Sequence, residues 1–131
     1  MKSRTKLREL IITILYQISI LESNKIEYNK ETIISSLIEE PNDFLINTIN
    51  GILDNIENIE NVINKYLKNW TIDRLGKIDQ AILKLGTYEL LYTDTPGAIV
   101  IDEAVELSKK YSDDKVKNMI NGVLDNIFKN K

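Results

Sequence analysis

Lys2, Arg4, Lys6 and Arg8 crowd the first eight residues, and no acid stands among them. Net charge is −3 over 131 residues, from 17 Lys and Arg against 20 Asp and Glu, so a +4 start is joined to a body of −7. Such an end attracts anions locally and does not coat a polyanion all over, although a merely solvated leader fits the same charge pattern. If Arg4 and Arg8 lie one helical turn apart, their charges and the helix N-terminus together make a phosphate site. Tyr16, two turns further, offers a ring for base stacking, a contact worth about 1–3 kcal/mol per base. An interfacial, half-buried tyrosine is the other reading of the same residue. Lys109, Lys110, Lys115 and Lys117 form a second basic group around Tyr111, where lysines beside a helix C-terminus also serve the dipole alone.

Catalytic chemistry finds little to work with. The chain has no His and no Cys, which removes the commonest general base, thiolate nucleophiles and Cys-type zinc sites. Glu39-Glu40, Asp102-Glu103 and Asp113-Asp114 are adjacent pairs whose members point to different sides of a helix or sit in a cap, so they do not converge as an acid and a base must. No glycine-rich phosphate loop occurs. No cofactor or metal is expected.

The elements that must position these groups are helical throughout. Leu7, Leu10, Ile11, Ile14, Leu15, Ile18 and Leu21 describe one amphipathic stripe, with Ser3 as its N-cap. A shorter helix spans 31–39 and stops before Pro41. Asn42 or Asp43 caps the next segment, whose apolar spacing continues to Leu67 as one long helix or as two broken among 55–58. A central helix is expected from Thr71 or Asp73 to about Tyr92, with Gly76 and Gly86 inside it. A glycine there costs about 1 kcal/mol against alanine, which suggests close packing of neighbouring backbones. Residues 93–97 turn into a helix over 101–111, and Ser112-Asp113-Asp114 caps the last one. In that helix Val116, Met119, Ile120, Val123, Leu124 and Ile127 keep helical spacing, and Gly122, next to Asn121, is assigned to tight helix packing. No segment alternates with period two and no fixed repeat occurs, so the fold class is all-α with six or seven helices in one domain, 1–131. No apolar run approaches the length that spans a bilayer and no apolar leader follows Met1, so a soluble cytoplasmic protein is expected.

Arg8-Glu9, Leu15-Tyr16-Gln17, the stretch from Ile78 to Leu90, Pro96-Gly97, Glu103-Ala104-Val105-Glu106-Leu107 and Asn121-Gly122-Val123-Leu124-Asp125 follow one another in an order and spacing that resemble the NusB family of bacterial transcription antitermination factors. The chain resembles that family strongly from Trp70 to Ile127 and fairly over 4–17; between Glu22 and Leu67 only helical periodicity compares. The resemblance implies two three-helix bundles built around shared helices. It also implies binding of boxA-type single-stranded RNA of ribosomal RNA leaders together with NusE, a small-subunit ribosomal protein, within the transcribing RNA polymerase complex and its other Nus factors. The RNA surface it implies comprises Lys2, Arg4, Lys6, Arg8, Tyr16, Tyr111, Lys115 and Met119. At 111, 115 and 119 the family more often carries phenylalanine and acidic or neutral residues. Tyr66, Asp73 and Asp79 correspond to the surface that docks NusE, whose basic character an acidic face would select; a solvated helix face is the alternative for any one of them. Two rivals stand beside this reading. One is an RNA-binding appendage of a ribosomal RNA modifying enzyme, disfavoured because no catalytic domain follows Lys131. The other is a helical protein-interaction module that binds no RNA. Monomer and homodimer are both compatible with the sequence.

Overall fold

The Ser3 side chain accepts a hydrogen bond from the Lys6 backbone N–H and starts the first helix, α1 (Arg4–Ser23), where a donor of the opening turn would otherwise be unsatisfied. The same device recurs: Asn29 caps α2 (Lys30–Leu37), Asn42 caps α3 (Asp43–Asp54) and Asp113 caps α7 (Asp114–Asn130). The remaining helices are α4 (Ile56–Tyr66), α5 (Lys77–Tyr92) and α6 (Gly97–Tyr111). This computed structural model describes residues 2–69 and 71–131; Trp70, where the strong resemblance begins, lies outside them. Among the described residues there are seven α-helices, one 3-10 turn at Ile72–Arg74 and no strand.

Of the two arrangements open for 43–66 the structure has two helices, because Asn55 turns its backbone and side-chain N–H groups onto the Gly51 carbonyl and ends α3. Three boundaries differ from expectation. α2 stops at Leu37 because buried Ile38 is already extended, three residues before Pro41. The central helix begins at Lys77 and not at 71–73: the Asn64 side chain takes the Ile72 N–H at 2.7 Å, one 3-10 turn follows, and Leu75 is extended. Gly76 is therefore the N-cap of α5 and not an interior residue. α6 starts four residues early, with the Pro96 carbonyl accepting from Ile99 and Val100 at 3.0 and 3.1 Å.

α5 is the shared element. It packs against α1 and α3 on one side and against α4, α6 and α7 on the other, which gives two bundles with one helix in common. Its burial fits this: Ala81, Ile82, Leu83, Leu85 and Leu90 are all nearly inaccessible, and the polar Gln80, Thr87 and Glu89 are buried with them, so the helix is enclosed on most sides. Gly86 is interior and does serve close packing, since a Cβ there would lie 2.9 Å from a Leu124 methyl of α7. Gly51 of α3 leaves room for the Tyr88 ring in the same way. Gly122 does not: it is exposed, and nothing lies within 4 Å of where its Cβ would be. No helix among the described residues is long and apolar enough to cross a membrane.

Candidate nucleic-acid interface

α1 runs antiparallel to α5 and lies beside the last turns of α6, so the basic start of the chain and the basic turn near Tyr111 meet on one face. Glu9 is the joint. Its carboxylate accepts from the Tyr111 hydroxyl at 2.6 Å and from the Lys110 ammonium, and Lys6 lies 3.5 Å away on the preceding turn of α1. The bonds from Lys110 and then Tyr111 outweigh the cost of partial burial and hold the Glu9 carboxyl at about 2, far below the usual carboxylate range. Lys110 and Tyr111 are raised in turn, each chiefly by its bond to Glu9.

Around this joint the expected cations and rings are mostly outward. Lys2, Arg4, Lys6 and Lys115 are exposed, and Tyr16 and Tyr111 show 38% and 44% of their surface. Tyr16 follows Glu9 by seven residues, two turns along the same stripe of α1, roughly 10 Å away by helical rise. The Arg4 guanidinium rests on the Phe44 ring, 4.0 Å from its centroid, a distance at which the cation is attracted to the ring face. Lys115 occupies the first turn of α7, and Met119 is half-buried with its inner side against the core. Lys109 and Lys117 face Glu106 and Asp114 at 3.0 and 3.5 Å and bring less net charge.

Arg8 is a correction. It was expected among the surface cations, yet only 4% of it is exposed. Its guanidinium gives two bonds of 2.9 Å to Glu89 of α5 and one of 2.8 Å to Glu103 of α6, and the Thr5 hydroxyl adds a 2.7 Å bond to Glu103. Desolvation alone would lower its pKa, but the two carboxylates outweigh that and raise it. Arg8 thus ties three helices together and leaves no donor pattern for a phosphate. The signal was present in the sequence: Arg8 falls between Leu7 and Ile11-Ile12 in the apolar stripe, where an arginine implies a buried acidic partner.

The acidic candidates separate. Tyr66 is half-buried at the end of α4, with the Lys65 ammonium 5.5 Å from its ring centroid. Asp73 is exposed in the 3-10 turn, where a bond from the Thr71 hydroxyl, above all, lowers its pKa. Asp79 accepts from Ser112 in the α6–α7 turn, which joins it to the segment that carries Tyr111. Sequence reading missed Glu9, because the basic run was taken to end at Arg8, and missed Phe44, which no local pattern connects to Arg4.

The class to which this fold belongs is that of all-α proteins in which two helical bundles share a central helix. A family model described as the NusB family matches residues 5–129, and the chain belongs to that family. The transcription antitermination protein NusB of Campylobacter jejuni (strain RM1221) is 41% identical over 131 residues, covering 100% of this chain and 99% of that protein. Among solved structures, T. maritima NusB superposes with a TM-score of 0.88 at 30% identity, over 98% of this chain and 92% of that one. A crystal structure of the antitermination factors NusB and NusE in complex with dsRNA superposes at 0.82 with 28% identity, over 98% and 97%. The Campylobacter relative and the NusB of the complex are named as antitermination proteins.

Proposed function

We propose that this chain is a transcription antitermination factor of the cytoplasm that binds RNA through the face joined at Glu9 and, through the separate Tyr66–Asp73 surface, a NusE-type ribosomal protein. The observation that carries the RNA half is the convergence of two basic segments and two exposed tyrosines on α1 and the α6–α7 turn, 101 residues apart in sequence at the Glu9–Lys110 contact. Lys2, Arg4, Lys6, Lys110 and Lys115 supply phosphate contacts and therefore affinity. Tyr16 and Tyr111 supply stacking surfaces, and Met119 lends an apolar edge; base edges held against them carry whatever sequence preference exists. Arg8 takes no part in contact and acts by fixing α1. Family membership and the RNA and NusE bound to the superposed relative support the reading, and a boxA-type element of ribosomal RNA leaders is the RNA it favours. Holding RNA and a ribosomal protein together raises the effective concentration of each at the transcribing polymerase.

The test is a titration of a boxA-like single strand, a scrambled single strand and a duplex across salt, with and without NusE, for the wild type and an Arg4→Glu/Lys6→Glu variant. Both substituted side chains are exposed, and circular dichroism of the variant checks that it folds. The expected result is a log–log salt slope of about −2 to −3, from three or four phosphates at about −0.7 each, with binding lost in the variant. A preference for the boxA-like strand that sharpens with NusE assigns the target. Weak binding that ignores sequence, NusE and charge reversal refutes the proposal and leaves a helical protein-interaction module.

A further inference from the structure

An acid in the middle of a basic face needs a reason. Glu9 is the side chain against which Lys6, Lys110 and Tyr111 all turn, at 3.5 Å for Lys6 and 2.6 Å for the Tyr111 hydroxyl. Those three groups are donors of the kind a phosphate oxygen takes: two ammoniums and a phenol around one anionic position. Arg4 and Lys115, in contrast, make no ion pair among the described residues.

We infer that the Glu9 carboxylate is an internal stand-in for an RNA phosphate, occupying the anion position between α1 and α6 until a phosphate displaces it. The inference rests on the RNA-binding reading above and adds a residue that sets how readily RNA is gripped. In the unbound protein Glu9 keeps Lys110 and Tyr111 extended toward α1, so the donors are already ordered. The same charge opposes any incoming phosphate and cancels one of the cations offered to it. A strand that supplies only charge must compete with a carboxylate fixed in place, whereas one that also stacks on Tyr16 and Tyr111 gains enough elsewhere to displace it. Glu9 therefore lowers affinity for every single strand and lowers it most for strands that bind by charge alone.

Two substitutions separate competition from simple positioning. Glu9→Gln keeps an acceptor for Tyr111 and removes the charge; Glu9→Ala removes both. Folding of each is checked by circular dichroism, and binding of the boxA-like and scrambled strands is titrated from low to moderate salt. Competition predicts that Glu9→Gln tightens binding about three- to tenfold at low salt, with the larger gain for the scrambled strand. Its salt slope steepens by about 0.7, the value of one more effective phosphate contact. Glu9→Ala then binds between wild type and Glu9→Gln, because its donors are no longer ordered. If wild type binds RNA and Glu9→Gln binds it equally or more weakly, the stand-in is refuted while the RNA reading survives. If neither protein binds any RNA, both fall.

Discussion

Replacing Arg8 by methionine removes the one cation held between Glu89 and Glu103 while keeping much of the side-chain volume. Glu89 is 1% exposed and loses both of its 2.9 Å bonds; Glu103 loses a 2.8 Å bond but keeps the one from Thr5 and some contact with water. Breaking a buried pair by removing one partner costs about 3–5 kcal/mol, since a charge is left without compensation. Unfolding entropy of about 2.1 cal/mol/K per residue makes 1 kcal/mol worth about 4 °C in a chain of this size, so Arg8→Met should lower Tm by about 11–18 °C. That is a large share of the roughly 5–15 kcal/mol by which small proteins are stable. The second arm of the experiment is Arg8→Met/Glu89→Leu. It removes the stranded carboxylate as well and should recover more than half of the loss. Urea unfolding followed by circular dichroism reads both variants. A cost below about 1 kcal/mol for the single substitution, or equal costs for single and double, would show that the charges are solvated after all and that Arg8 is not the tie between α1, α5 and α6.

Glu9 gives a pH signature. Its folded pKa of about 2 lies below the ordinary 4.5, so its contribution to stability is complete above about pH 4.5 and disappears as the pH falls toward 2. Urea midpoints at pH 5 and pH 3 should therefore differ less in Glu9→Gln than in wild type, and identical differences would contradict the contact. The two helical glycines should respond in opposite directions. Gly122→Ala fills open space and gains helix propensity, raising Tm by about 4 °C for about 1 kcal/mol. Gly86→Ala drives a methyl to within 2.9 and 3.0 Å of a fully buried Leu124, and overpacking of about 1–3 kcal/mol outweighs the propensity gain, so Tm should fall. Thermal melts of the two variants decide both.

Most of the helices were legible because each buries one stripe. Ser3, the stripe from Leu7 to Ile18 and the spacing from Val116 to Ile127 all appear in the structure as their patterns require. Boundaries failed where a distant side chain or a weak first turn decided them. Asn64 sets the backbone at Ile72, eight residues on, and the opening residues of α6, Ala98 and Ile99, are exposed and add nothing to an inward stripe. The glycine argument succeeded at Gly86 and failed at Gly76 and Gly122, because composition cannot say which face of a helix a neighbour covers. Arg8 failed for the same reason at longer range: its partners stand 81 and 95 residues away. Its place in the apolar stripe announced that a partner existed without saying which.

That separation also orders events during synthesis. The cations of α1 leave the ribosome first, but Lys110 and Tyr111 follow about 100 residues later. At roughly 5–20 residues per second, the delay is about 5–20 s. Throughout it the arm carries its charge without the turn that completes the face, and Arg8 waits nearly as long for Glu89 and Glu103. A ribosome is itself a polyanion, so the young chain has every electrostatic reason to cling to it. Completion of α6 supplies Glu103, Lys110 and Tyr111, so the ties of Arg8 and the joint at Glu9 close only once that helix has emerged.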